Sequence, residues 1–376
     1  MKKIIVVGGG IGGSATAFAL SRQGFAPVIY ERTKELREVG AGIALWANAT
    51  HVMKNLGLLE EAVKVGYLTT NYQFCSQQGK ELVNVPLDGV ELPVVGIHRA
   101  ELHRLLWQNV SSEKYTLGET FERFEHQNDR VYAHFASGVQ VEGDALIGAD
   151  GLRSRVRATL LGDIPPTYRN FKTWRGLTEF VPRSYQPGYI HEYLGAGKGF
   201  GFMMLGKGKM YWYVAATAPE SQPDLSIGRK QELENMFQDW CSAIPELITA
   251  TDESQIITTD LYDRPPTQPW SIGNITLLGD AAHPMLPTMG QGACTALEDA
   301  YVVAKCLKEN PDPIAAFQKY ESLRFPRTKA IIKQSLQSGK MGELKNPLAV
   351  GLRNTFMKVM GSAISSSFRS LHAYRA

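Results

Sequence analysis

The chain has 376 residues, enough for two or three domains with a buried core, and 44% hydrophobic with 20% charged residues excludes a disordered or fibrous protein. Lys and Arg outnumber Asp and Glu by 40 − 37 = 3, a balance too even for a nucleic-acid binder. Cys75, Cys241, Cys294 and Cys306 form no CxxC pair and no metal-ligand spacing. That removes the dithiol oxidoreductases and predicts reduced thiols, no metal and a cytoplasmic protein. Apolar runs are too short for a membrane-spanning helix, and Met1 leads straight into a strand, so no cleavable signal is expected.

Ile4–Val7 is a β-branched run that reads as a buried strand, broken by Gly8-Gly9-Gly10. A helix over Ile11–Gln23 follows, closed by Gly24, and a second strand over Pro27–Tyr30 delivers Glu31. This βαβ opening predicts a parallel sheet with right-handed crossovers. Gly8-x-Gly10-x-x-Gly13 supplies a tight turn, a close approach to a pyrophosphate and close helix–strand packing. The helix N-terminus offers unpaired N–H groups to the phosphates, and Glu31, eighteen positions after Gly13, can accept from a ribose hydroxyl. An acid there repels a 2′-phosphate, so the nucleotide is FAD or NAD rather than NADP, and no second GxGxxG occurs downstream. Ala145–Ala149 is a third buried strand, running into Asp150-Gly151, and Ile275–Leu278 a fourth, running into Gly279-Asp280. Between about 166 and 272 the chain is rich in aromatics and short alternating runs, which predicts a mainly antiparallel sheet interleaved with the parallel layer. Beyond about residue 330 the chain reads as helical.

Four separated motifs carry a family resemblance. They are Gly8–Gly13 with Glu31; "GAGIALWANA" at Gly40–Ala49 with "HRAEL" at His98–Leu102; "GADGLRSRVR" at Gly148–Arg157; and "GDAAHPMLPTMGQGACTALEDA" at Gly279–Ala300. The sequence resembles the single-component FAD-dependent aromatic monooxygenases, the family of salicylate hydroxylase, urate hydroxylase and zeaxanthin epoxidase. The resemblance covers nearly the whole chain. It implies an α/β protein, α+β overall. A Rossmann-like FAD-binding domain (1–72, 98–165 and 273–335) interleaves with an antiparallel substrate domain (73–97 and 166–272), and 336–376 form a helical C-terminal segment. FAD and NADH or NADPH are the implied cofactors, with dioxygen and a small aromatic molecule as partners, oxygen being delivered through a flavin hydroperoxide. The FAD contacts it implies fall on Gly8, Gly10, Ile11, Gly12, Gly13, Glu31, Arg32, Gly42, Ile43, Arg99, Asp150, Arg157, Asp280, Gly290, Gly292 and Ala293. Pro287, Gly290, Gln291 and Gly292 would shape the reacting face. There the stiff turn and the N–H groups before the helix over Ala293–Leu307 suit the anionic edge of a reduced flavin. Against these roles, Asp280 can simply cap a turn and Asp150 the helix after Ser154. His283 reads as a loop-holding histidine, Cys294 as packing and Asp299 as structural.

Trp174, Arg175, Phe200, Phe202, Met204, Tyr211 and Tyr213 are the candidate substrate wall, with Arg175 and Tyr211 as its polar members; for each aromatic the alternative is sheet core. The segments "TWRGL", "GKGFGFMMLGKGKMYWYV" and "GLRNTFMKVM" look most like the alkylquinolone-hydroxylase branch. The urate-hydroxylase branch carries an arginine where this chain has Gly199. These features point to a planar, mostly apolar ring, quinolone-like or polycyclic phenolic. Rival functions are a flavin halogenase (whose "WxWxIP" segment is absent), a prenyl-chain reductase, and a flavin-binding sensor without turnover. From Lys345 to Ala376 there are five Lys/Arg and no acid, with Leu352, Phe356, Val359 and Met360 at helical spacing. A terminal helix that packs its apolar side and exposes its basic side is preferred over a membrane-surface helix.

Overall fold

The computed structural model describes residues 2–35, 41–87, 91–127, 129–225 and 227–376. Lys3–Val7 lies at the heart of a six-stranded sheet, flanked in parallel by Ala26–Glu31 and by Ala145–Gly148, with Ile275–Leu277 beyond the latter. A strand covered on both faces needs apolar side chains in both directions, which is why Ile4 to Val7 show no alternation and are buried throughout. Tyr115–Leu117 extends one edge in parallel and Ser271–Ile272 closes the other antiparallel. The helix Ile11–Arg22 crosses over the sheet and packs on the helix Gly292–Glu309. Small residues permit that approach: a Cβ on Gly12 would lie 3.5 Å from Ala296 Cβ on that helix and 2.9 Å from Leu278 Cδ2 beside it. Phe121–Gln127, Arg130–Phe135 and Gln140–Gly143 form a separate antiparallel sheet.

A seven-stranded sheet follows the order Ile257–Asp263, Thr167–Thr178, Met210–Thr217, Lys198–Met204, Tyr189–Leu194, Asn71–Ser76, Glu81–Pro86. It is antiparallel except where Tyr189–Leu194 meets Asn71–Ser76. Asn71–Ser76 runs through position 72, the end of the first expected FAD-binding segment. Val94–His98 pairs instead with Gly42–Leu45 and Tyr67–Thr69 in a three-stranded sheet. Strand alternation divides the large sheet into two faces. One carries Trp174, Phe200, Phe202, Met204, Trp212 and Val214 into a core with Phe237, Ile244 and Leu247 of the helices Arg229–Phe237 and Ala243–Thr249. The other turns Tyr211, Met203 and Ile190 into the core shared with the parallel sheet.

The C-terminus is helical, over Pro313–Gly342, Pro347–Val359 and Gly361–His372. The expected orientation of its penultimate helix is corrected. Leu348, Leu352, Phe356 and Val359 are 79%, 73%, 55% and 75% exposed, whereas Arg353 is buried and donates to the Gly195 carbonyl. Lys345 and Lys358 are exposed as expected. The last helix does pack: Phe368 meets Trp46 edge-on and His372 packs tilted against it, with ring centroids 5.0 and 4.5 Å away. Among the described residues no helix is long and apolar enough to cross a membrane.

Candidate active site

The first glycine loop is closed by its own sequence. Gly8 has φ 103°, and a Cβ there would lie 2.5 Å from the Ala149 carbonyl oxygen; one on Gly13 would lie 1.9 Å from the Gly8 oxygen. Gly10 differs, because a Cβ there would meet nothing within 4 Å. The helix that starts at Ile11 has no side-chain cap and no acid in its first turn, so its N–H groups face that space. Glu31 accepts from the Gly9 N–H (2.6 Å) and the Thr33 N–H (2.9 Å), which fixes the carboxylate beside the loop. Arg32 is exposed next to it. His103, unnoticed in the sequence, buttresses the loop through the Gly9 carbonyl at 2.6 Å.

The second loop repeats the device at larger scale. Gly279 bends the chain at φ 59° after the strand Ile275–Leu277, and Asp280 emerges exposed at the cleft although its neighbours are buried. Surrounding protein pushes its carboxyl up, while His283 and Arg99 oppose that shift. Pro287 opens a tight turn ending at Gly290 (φ 61°), and Thr288 ties that turn to Ser335 at 2.7 Å. The helix Gly292–Glu309 then begins with no side-chain cap and no acid in its first turn, and a Cβ on Gly292 would again meet nothing within 4 Å. Two uncapped helix N-termini, both fronted by glycine space, suit a long ligand with anionic groups at two places. The residues present therefore fit FAD, with Asp280 available to a polyol.

The two halves of the site meet at Gly42, where a Cβ would lie 2.4 Å from the Tyr211 ring. Tyr211 is paired across strands with Leu177, and its neighbour Tyr213 with Arg175. Arg175 is held by Thr259 Oγ1 at 2.8 Å, and its Nε has no partner among the described residues. Burial and the nearby Arg175 lower the pKa of the Arg99 guanidinium, with Asp280 acting the other way, so Arg99 lies between the Asp280 turn and the large sheet. Trp46 closes the circle. Its indole N–H has no partner among the described residues, lies 2.7 Å from where a Gly290 Cβ would be, and its ring is 5.7 Å from Tyr72.

Several expected positions fall elsewhere. Phe200, Phe202, Met204 and Trp174 are core on the far face of the sheet, because alternation gives the near face Gly199, Gly201 and Met203 instead. The Gln291 side chain is fully buried and accepts from Asn48, so only its backbone is near the turn. Asp150 caps the helix Arg155–Leu161, accepting from Ser154 Oγ and the N–H groups of Arg155 and Val156. Arg157 is buried and donates to the Ala281 and Ala282 carbonyls at 3.1 Å; it braces the Asp280 turn rather than facing the cleft. Ile11 is buried, Ile43 and Ala293 are partly accessible, Pro287 and Gly290 are exposed, and Gly40 lies outside the described residues. His283 and Asp299 are structural, joined at 2.5 Å.

Reasoning from sequence missed Glu192 and Tyr72. Both lie on the near face of the large sheet, where Glu192 Oε2 accepts from the Tyr213 hydroxyl and, at 3.5 Å, from Tyr72. The available signal was a lone acid among aromatics in "YIHEYL".

A family model described as an FAD binding domain matches residues 1–335. Aurachin C monooxygenase/isomerase of Stigmatella aurantiaca is 38% identical over 96% of this chain and 94% of its own length. The chloroplastic zeaxanthin epoxidase of Solanum lycopersicum is 32% identical over 88% of this chain, which spans about half (53%) of that protein. The crystal structure of Klebsiella pneumoniae HpxO complexed with FAD and uric acid matches with a TM-score of 0.93 at 26% identity, covering 99% of this chain and 96% of that one. On the family match and the two glycine-fronted helix ends, the chain belongs to the FAD-binding-domain family of FAD-dependent monooxygenases.

Proposed function

We propose that this FAD-dependent monooxygenase takes electrons from NADH or NADPH and places one atom of dioxygen on a planar, mostly apolar aromatic ring. The observation that carries the reading is the packing of Tyr211 on Gly42, which brings the aromatic sheet against the strand Gly42–Leu45, whose Ala44 carbonyl accepts from Cys294 just beyond the Gly290 turn. When bound, FAD supplies the reduction of dioxygen, and the protein's part is to place groups around it. In this reading Gly10, the N–H groups that open the helix at Ile11, and Glu31 would hold the adenosine and pyrophosphate on a loop shaped by Gly8, Gly12 and Gly13, and Asp280 with Arg99 would hold the chain toward the flavin. The backbone N–H groups from Gly290 to Ala293 would be the donors for the flavin's anionic edge. Trp46, Tyr72, Tyr211 and Tyr213 wall the cleft on the other side and exclude water. Phe368 and His372 seal its back through Trp46.

Around its one carboxylate the near face offers Gly199, Gly201 and Met203 and no paired cation among the described residues, with Arg175 lying beyond Tyr213. Such a lining favours a neutral, quinolone-like or phenolic ring over a small anion. A relative of nearly equal length is named aurachin C monooxygenase/isomerase, which supports oxygen insertion as the reaction. The test is consumption of NADH and NADPH by the FAD-loaded protein against quinolones, polycyclic phenols and salicylate, with product mass read in parallel. Acceleration by quinolones or phenols and a product one oxygen heavier is the expected result. Acceleration by salicylate without quinolones overturns the substrate assignment, and a flavin that stays oxidised throughout overturns the nicotinamide-driven reaction.

A further inference from the structure

Glu192 stands on the strand Tyr189–Leu194, opposite Gly201 on one neighbouring strand and Phe74 on the other. Its Oε2 is occupied by the Tyr213 and Tyr72 hydroxyls. Its Oε1 accepts no hydrogen bond among the described residues and lies 3.6 Å from where a Gly199 Cβ would be. That oxygen is open to the cleft, unlike the unpartnered Oε2 of Glu232, which is sealed in. Here one oxygen is anchored and the other faces space that a glycine keeps open.

We infer that Glu192 is the proton acceptor of the substrate site, and that the substrate presents a neutral ring O–H or N–H to its free oxygen beside Gly199. This rests on the monooxygenase reading of the same cleft. In the step, the ring O–H bond breaks and its proton forms a bond to Oε1. The electron pair stays with the ring oxygen and enriches the carbon to be oxidised, and the carboxylate becomes a neutral acid still bonded to Tyr213. As the product regains its aromatic form, the C–H bond at the oxidised carbon breaks and its proton leaves to solvent, while the Glu192 proton returns to the ring oxygen, so the residue ends as it began.

The surrounding groups suit that role. The titratable side chains facing Glu192 are Tyr72 on the adjacent strand and Tyr213 two strands away, with Tyr211 next to Tyr213 and His372 beyond Tyr72 on the last helix. Burial pushes the Glu192 carboxyl up to about 7, against the pull of its two tyrosine donors, so both protonation states are accessible near neutrality. Burial drives both tyrosines well above their ordinary value, which leaves them as donors and not as acids.

The experiment uses the FAD-loaded protein, 4-hydroxyquinoline as probe and 4-methoxyquinoline as its counterpart without the ring proton. Binding is read from perturbation of the flavin spectrum across a pH series, and infrared difference spectra report the carboxylic acid carbonyl over the same range. The hydroxyl probe is expected to bind about ten- to a hundredfold more tightly on the alkaline side of neutrality, while the methoxy probe shows no such dependence. Glu192→Gln abolishes both the gain and the titrating carbonyl band. Tyr213→Phe keeps the carboxyl but removes a donor, so its infrared midpoint moves up. A pH-dependent gain or a neutral-range band that survives in Glu192→Gln overturns the inference, as does a pH-independent affinity in the native protein. A protein that consumes NADH or NADPH with a flat binding profile refutes the proton acceptor alone. One whose flavin stays oxidised refutes the nicotinamide-driven reading, and the infrared titration still judges Glu192.

Discussion

Glycines of the first loop differ in what surrounds them, and the difference separates folding from ligand binding. Gly13 faces backbone, with the Gly8 oxygen 1.9 Å from a Cβ position, whereas Gly10 faces open space and has an ordinary φ of −70°. Gly13→Ala should therefore cost about 3 kcal/mol of stability, measured by urea unfolding. Gly10→Ala should leave the melting temperature of the apoprotein unchanged and weaken FAD about tenfold, because its methyl group occupies the approach of the pyrophosphate. Equal destabilisation by both would show that the space at Gly10 is not a ligand's. This loop was legible in the sequence because its spacing answers to local backbone demands. Glu192 was not, because its meaning depends on which face of a sheet it occupies and on tyrosines far away in the chain, Tyr72 and Tyr213. Arg157 misled for a similar reason: a basic residue in a phosphate-rich motif is here turned inward onto the carbonyls of the next loop.

At the scale of elements, periodicity decides function. The run Phe200–Leu205 is apolar throughout, which conceals that only alternate members share a face. Pairing with Met210–Thr217 places Phe200 against Val214 and Phe202 against Trp212, away from the cleft, while Gly201 meets Tyr213. Phe200→Ala is accordingly expected to cost about 3–5 kcal/mol in denaturant unfolding and to leave the affinity for 4-hydroxyquinoline within twofold of native. A large loss of affinity without a loss of stability would return Phe200 to the substrate wall. The strands Lys3–Val7, Ala145–Gly148 and Ile275–Leu277 were readable since burial on both faces leaves an unbroken apolar signature. Phe121–Gln127 was not, because "FERFEHQ" is largely surface-exposed and its charges hide the strand. The terminal helices were legible as helices, but the side they bury is set by what they meet. Arg353 finds the Gly195 carbonyl, and Leu352 and Val359 find no cover among the described residues.

Across the whole molecule, the loop from Gly279 to Gly292 is fastened by a buried ionic cluster between the helices Gly292–Glu309 and Pro313–Gly342. Arg324 bridges Glu298 and Asp299 at 2.6 Å each, all three fully buried. Asp299 also accepts from the Gly279 N–H at 3.1 Å and pairs with His283, and Glu298 accepts from Asn48, which holds Gln291. The cluster thus connects the Asp280 turn to the Gly290 turn from behind. Burial raises both carboxyls, but His283 and Arg324 hold Asp299 far below the usual range, and Arg324 with Arg327 lowers Glu298. Arg324→Met removes the shared cation and leaves two buried carboxylates short of compensation, so a loss of about 3–5 kcal/mol at neutral pH is expected. The sign of its pH dependence follows from linkage. In the native protein these carboxyls release protons more readily than in the unfolded chain, so their stabilisation is complete above the ordinary carboxyl range and disappears as pH falls through their lowered values. Without Arg324, burial pushes the same groups upward and their ionisation opposes folding. The stability gap between native and variant should therefore be widest at neutral pH and narrow steadily on acidification, in urea unfolding measured as a pH series. A gap independent of pH would mean that Arg324 acts through packing, and that the Asp280 and Gly290 turns are not joined by charge.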